Sequence, residues 1–202
     1  MISTAQVSEM RRIETSKDGN LVIGGGCNFG EVLDALKTPG NYTLFGALQS
    51  ALMTVGSTQV RNSSTLCGNI MLNDNNSDLI PVLLVGNAKL ILSSKGGNRE
   101  IDFASFFKGS GARNVDLKDT EVISSIVVPP SAQDECVISY KVSRRENTSR
   151  SVVGACLKVR LDNGKVADSR IVYGGVSSSV RRATNTEKGL LVKYSFSFFF
   201  LK

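Results

Sequence analysis

Residues Gln59 to Pro81 read QVRNSSTLCGNIMLNDNNSDLIP. Small hydroxyl residues, one Gly and several amides lie between a basic QVR and an apolar run. The stretch has no His and no Glu, and its Asp residues are Asp74 and Asp78. It is poorly equipped for general acid–base chemistry. It is better equipped to cradle a phosphate or a hydroxyl-rich ligand. Ser64 and Thr65 offer short hydroxyls, Gly68 permits close backbone approach or positive φ, and Asn69 donates and accepts through one amide. An ordinary Asn/Ser-rich loop fits the same residues, and the segment alone does not choose between the two.

The rest of the composition narrows the chemistry. The chain has 202 residues, 41% apolar, which suits a folded core. It contains no histidine, so Ser–His–Asp and Cys–His catalysis are excluded, as is the commonest transition-metal ligand. The four cysteines, Cys27, Cys67, Cys136 and Cys156, form no CxxC pair. Neither a zinc site nor an iron–sulphur site can be read from their spacing. They read as free thiols in a reducing compartment, and the N-terminus has no apolar signal segment, so a cytoplasmic location is expected. Net charge is +6, but the basic residues are scattered and aromatics are few before the C-terminus. A nucleic-acid platform is therefore not expected. The apolar LLVKYSFSFFFLK at the end is shorter than the about 20 residues a membrane helix needs.

Along the chain, GNLVIGGGCNFGEVLDALKT reads as a strand at Leu21–Ile23, a glycine turn, and a helix from Glu31 to Leu36 with Glu31 at its positive end. LFGALQSALMTV is a second helix, with apolar Leu44, Ala47, Leu48, Ala51 and Leu52. LIPVLLVG is a buried helix or strand that length cannot assign. AKLILSS and REIDF form a hairpin around Lys95–Asn98. EVISSIVVPP is a strand stopped by Pro129 and Pro130. CVISYKVS and the pair LKVRLD and VADSRIVYGG follow, joined by Asn163-Gly164, the strongest short hairpin signal in the chain. From Arg181 onward the regular patterning is lost. IGGGCNFG invites a phosphate-loop reading, but its spacing fits neither standard motif, and a plain tight turn serves equally. Lys141, among alternating apolar residues, suits an anionic ligand or electron-rich ring, or else a paired surface position.

Taken together, QVRNSSTLCGNI, SDLIP, EVISSIVVP, YKVSRRE and YGG follow one another as in a known family. From Ile13 to Val176 the chain resembles the FAD-binding domain of the molybdenum hydroxylases, the family of xanthine dehydrogenase and aldehyde oxidase. The resemblance implies an α+β fold, the larger FAD lobe of the vanillyl-alcohol oxidase type, followed by part of a lobe like the C-terminal one of the carbon monoxide dehydrogenase flavoprotein. It implies FAD contacts at Thr65, Leu66, Cys67, Gly68 and Asn69, at Asp78, at the apolar Ile123 and at Lys141. It implies no catalytic side chain and no metal ligand in this chain.

The departures from the family pattern carry further expectations. Cys67 stands where the family has a glycine, and a positive φ there would strain it. Val55 replaces an aromatic residue, and NTSRS replaces an acidic–apolar run after RRE. Residues 1–130 are expected to be the FAD lobe without the preceding pyrophosphate-loop lobe, 131–180 a partial C-terminal lobe, and 181–202 a divergent tail. FAD binding is then weakened, with no iron–sulphur or molybdenum site in the chain. The expected role is an electron-output module passing electrons through FAD to NAD or oxygen. Its partners would be iron–sulphur and molybdopterin domains in other chains, or a second copy. The alternative is a non-catalytic remnant with little FAD binding. No nucleic acid or membrane partner is expected.

Overall fold

The computed structural model describes residues 4, 6–37, 40–112, 114–145 and 147–193. Two antiparallel sheets sandwich a layer of helices, an α+β arrangement. The first sheet takes β1 (Ile13–Thr15), β2 (Leu21–Gly24), β3 (Lys89–Ser94), β4 (Gly97–Asp102) and β5 (Val122–Val128) in the order β1-β2-β5-β3-β4. The second takes β6 (Glu135–Val142), β7 (Val153–Asp162), β8 (Lys165–Gly174) and β9 (Arg181–Arg182) in sequence order. Asn163 and Gly164 both adopt positive φ, 50° and 77°, as the tight β7–β8 hairpin requires.

The helices are α1 (Phe29–Ala35), α2 (Leu44–Met53), α3 (Thr58–Ser63), α4 (Leu66–Leu72), α5 (Ile80–Val85), α6 (Phe103–Phe106) and α7 (Thr184–Lys193). α2 buries the five residues its periodicity marks, Leu44, Ala47, Leu48, Ala51 and Leu52, and packs on β6. The ambiguous LIPVLLVG is helical. Pro81 pre-sets the backbone of its first turn. The run is apolar on every side because it is covered on every side: α5 meets α2 and α6 as well as β7 and β8. One continuous core therefore reaches from Ile23 and Ile126 of the first sheet, through Leu48 and Leu83, to Cys156 and Val172 of the second.

Two sequence expectations need correction here. The polar segment is neither an open loop nor a bare cradle. Ser57 caps α3 by accepting from the Val60 amide, and Thr65 caps α4 by accepting from the Gly68 amide at 3.1 Å. Regular structure also continues past Arg181, as β9 and α7. The apolar period of α7 is weak because a carboxylate anchors it. The buried Glu187 accepts from the Ile171 amide at 2.8 Å and from Arg182 Nε at 2.9 Å. Burial works to raise its pKa, but the bonds from Arg182 and Ile171 outweigh that and hold it below the usual carboxylate range. The apolar run at 194–202 lies outside the described residues. Among the described residues no helix is long and apolar enough to cross a membrane.

The first sheet has its own polar clasp. Arg99 on β4 donates through Nε and Nη2 to both oxygens of Glu121, at 2.8 and 2.9 Å, and through Nη2 to the Asp116 carbonyl at 2.9 Å. The Arg99 bonds first, then the Lys118 amide, bring the Glu121 pKa down to about 2 from an ordinary 4.5. A depressed carboxyl stabilises the fold fully above its unfolded pKa and loses that effect as pH falls through the folded value. The stability gap between wild type and Glu121→Gln should therefore be constant above about pH 5 and shrink from pH 4.5 toward 2. Thermal melts across that range measure it. A gap that does not change with pH would show that the clasp is not ionic.

Candidate functional site

The glycine turn after β2 is closed by the chain itself. The amides of Gly24, Gly25 and Gly26 donate to Arg12, Ser124 and Met10 carbonyls at 2.8, 2.8 and 2.7 Å. A Cβ on Gly25 would lie 2.2 Å from the Ile123 carbonyl oxygen and 3.3 Å from Cys67 Sγ. The glycines serve close packing, and none of the three amides faces a ligand. The start of α1 is closed too. Asn28 and Glu31 form a reciprocal capping box, and Glu31 is paired with Arg11. The phosphate-loop reading of IGGGCNFG therefore does not hold, and the plain turn does.

α4 divides the segment Thr65–Asn69 by direction. Leu66 and Cys67 are buried in the core. Cys67 lies inside the helix and outside the positive-φ region, so the expected strain is absent. Burial, then the neighbouring Cys27, pushes its thiol up to about 12, which makes it inert. Thr65, Gly68 and Asn69 lie toward the outside. A Cβ on Gly68 would meet nothing closer than Thr65 Oγ1 at 3.1 Å, so that side of the first turn is open. Asn69 accepts from Ser77 Oγ at 2.7 Å through its Oδ1. Its amide nitrogen is free to donate outward, since among the described residues it has no bond.

Ser77 leads directly to the second cluster. Asp78 Oδ2 accepts from Lys141 Nζ at 2.8 Å, and the two side chains are 11% and 10% exposed. Lys141 also donates to the Thr54 carbonyl at 3.0 Å, at the end of α2. Ser151 Oγ donates to Asp78 Oδ1. Asn69 on α4 thus reaches Ser77, the chain neighbour of Asp78, and Asp78 reaches Lys141 on β6, so the 73–78 segment links the two elements. Ile123 is set apart: its side chain is buried in β5 and its carbonyl abuts Gly25.

Sequence reasoning missed three positions. Arg61 of QVR is a clamp, donating to the Val55 and Gly56 carbonyls at 3.2 and 3.0 Å at the point where α2 ends. Ser151 and Asn76 were passed over in polar runs. Asn76 Nδ2 donates to the Ser151 carbonyl at 2.7 Å, Asn75 Nδ2 to the Ser177 carbonyl at 2.6 Å, and Arg150 pairs with Asp74. The departure NTSRS therefore supplies the groups that grip NDNNSD. The only signal in the sequence was two amide-rich runs of matching polarity. Gly175 completes the grip at φ 80°, where a Cβ would lie 2.2 Å from the Val152 carbonyl oxygen.

Two openings flank the network. A cleft of about 690 Å³ runs between α2 and β6, lined by Tyr42, Gln49, Ser50, Ile138 and Ser139 among others. A smaller one of about 80 Å³ is lined by Ser50, Thr54, Asp78, Ser139 and Lys141. They share Ser50 and Ser139, so they adjoin.

Comparison with known proteins bears on this arrangement. Residues 1–131 match the model of the FAD binding domain in molybdopterin dehydrogenase, and residues 138–193 the CO dehydrogenase flavoprotein C-terminal domain. The chain belongs to the molybdopterin dehydrogenase FAD-binding family. It is 32% identical to aldehyde oxidase 2 of Cavia porcellus and 31% identical to aldehyde oxidase of Homo sapiens, each over 96% of this chain. It spans about 15% of the length of those relatives. A solved carbon monoxide dehydrogenase chain from Hydrogenophaga pseudoflava superposes with a TM-score of 0.80 at 25% identity, over 95% of this chain and 64% of that one. Quinoline 2-oxidoreductase from Pseudomonas putida 86 shares the fold, with a TM-score of 0.78 at 22% identity, over 92% and 62%.

The donor set of this FAD-binding domain fits its cofactor on one side. Lys141 has three N–H groups and two are engaged. The helical setting of Cys67 has a direct consequence. Cys67→Gly should destabilise the chain by about 1–3 kcal/mol, from lost helix propensity and a lost buried side chain. Urea denaturation measures this, and a gain in stability would show that the position wants a glycine conformation.

Proposed function

We propose that this chain binds the isoalloxazine side of FAD through Thr65, Gly68, Asn69, Asp78 and Lys141, as one wall of an electron-output module. Leu66, Cys67 and Ile123 form the apolar backing of that wall. The observation that supports the reading is the Asn69–Ser77 bond, which ties α4 to the residue next to the buried Asp78–Lys141 pair. Bound FAD supplies one- and two-electron redox chemistry that no side chain here can. The chain's own residues bind and orient. Asp78, accepting from Ser151, fixes the Lys141 ammonium, whose remaining N–H is the donor offered to the ring. The apolar residues behind α4 exclude water from that edge.

Residues 1–130 act as the FAD lobe and 131–180 as part of the second lobe. Electrons arrive from iron–sulphur and molybdopterin domains on other chains and leave to NAD or oxygen; a second copy of this chain is the alternative partner. The second reading is a non-catalytic remnant with weak FAD binding, favoured by the Gly24–Gly26 amides being closed to phosphate. On that reading the chain is not active without its partners.

Titrating the purified chain into FAD and following flavin fluorescence tests the proposal. Saturable quenching is expected. Asn69→Ala and Lys141→Met, each shown folded by circular dichroism, should weaken it at least tenfold, about 1.4 kcal/mol. A folded wild-type chain that gives no quenching, or variants that bind as wild type does, would overturn the assignment.

A further inference from the structure

A cavity of about 390 Å³ shares no lining residue with the two openings described above. α5 provides Ile80 and Leu84, the loop after α6 provides Phe107 and Lys108, and the second sheet provides Arg170 and Arg182. No carboxylate lines it among the described residues. Most cations around it are already satisfied. Arg182 is paired with Glu187 at 2.9 Å, and Lys108 with Asp116 at 3.3 Å. Lys158, across the β7–β8 ladder from Arg170, is paired with Glu135 at 2.9 Å.

Arg170 differs from its neighbours. It is half-buried, and among the described residues it has no carboxylate within ion-pair distance. Its one hydrogen bond is a long 3.4 Å contact from Nη1 to the Leu84 carbonyl, at the cavity wall. A guanidinium has five N–H donors in a rigid fork that matches a carboxylate. Burial, then the nearby Arg182 charge, works against its charged form, and Asp168, Glu187 and Glu135 offset this only in part. A half-buried cation with no carboxylate in ion-pair contact is costly, and an anion in the cavity would relieve it. The lining is mixed: apolar Ile80, Leu84, Phe107, Val172 and Val180 stand with polar Asn73, Lys108, Ser179 and Arg182. The cations attract an anion, and the apolar part suits one that carries an apolar body. The volume is that of a small-molecule pocket.

We infer that this cavity is a binding site for a small organic carboxylate, its head group held by the Arg170 fork and its apolar body lying against Phe107 and Leu84. The site is independent of FAD and draws on none of the residues assigned to it.

Isothermal titration of the purified chain tests this, with benzoate as the probe and benzamide as its uncharged isostere. Benzoate is expected to bind saturably, and benzamide at least tenfold more weakly. Arg170→Gln, shown folded by circular dichroism, should lower benzoate affinity at least tenfold. Arg170→Lys, which keeps the charge and loses the fork, should fall between the two. The wild-type contrast between benzoate and benzamide decides the matter even if a variant fails to fold. Equal affinity for the two, an unchanged affinity in Arg170→Gln, or no binding at ~10 mM benzoate, weaker than a specific small-molecule site would show, each overturns the site. Inorganic phosphate binding more tightly than benzoate would overturn the choice of an apolar carboxylate.

Discussion

The pairing of Asp78 with Lys141 is the constraint on which the two-sheet arrangement rests. Asp78 stands just before α5 and Lys141 in β6, the edge strand of the second sheet. Both side chains are nearly removed from water. Their attraction offsets the cost of that burial only because further groups satisfy them: the Ser151 hydroxyl on Asp78 and the Thr54 carbonyl on Lys141. Those partners come from β7's approach and from the end of α2. One ion pair thus ties together four segments that are distant in sequence. Removing one partner of such a pair leaves an uncompensated charge, typically at about 3–5 kcal/mol.

The rest of the interface follows this pair. The segment Asp74–Asp78 lies against the start of β7 and the end of β8, held by Arg150, the Ser151 and Ser177 carbonyls, and the Gly175 amide. With that segment fixed, α5 is pressed against β7 and β8, and Ser77 is set to bond Asn69. The open flank of α4 is therefore positioned by the same contacts that join the two lobes. The candidate site residues and the lobe packing are not separable here: a change that loosens the second sheet also displaces Asn69 and Lys141.

Much of this was legible in the sequence, and the legible parts share a physical reason. The period of α2, the short apolar run of β2, the strand residues of β3 and the Asn163-Gly164 hairpin are local signals, and local signals survive in a single chain. The family motif also carried the candidate residues, because it preserves order and spacing. What was not legible depended on distant partners. Arg61 looks like a surface cation until it is seen closing the end of α2. The helical state of LIPVLLVG came from burial on all sides, which a six-residue run cannot reveal. α7 is anchored by Glu187, so its apolar period is too faint to mark it. The glycine that Cys67 replaces left open a positive φ that would strain it, whereas its helical backbone accepts a side chain. The amide runs 73–78 and 147–151 show their complementarity only when folded together.

A double-mutant cycle in urea on Asp78→Asn, Lys141→Met and the combined variant tests the central claim most directly. If the pair joins the lobes as described, each single variant loses about 3 kcal/mol or more. The double variant then loses less than their sum by at least about 1 kcal/mol, since the second change removes the stranded charge. Additive losses would contradict the account, and would show that the two side chains lie side by side without sustaining the arrangement around them.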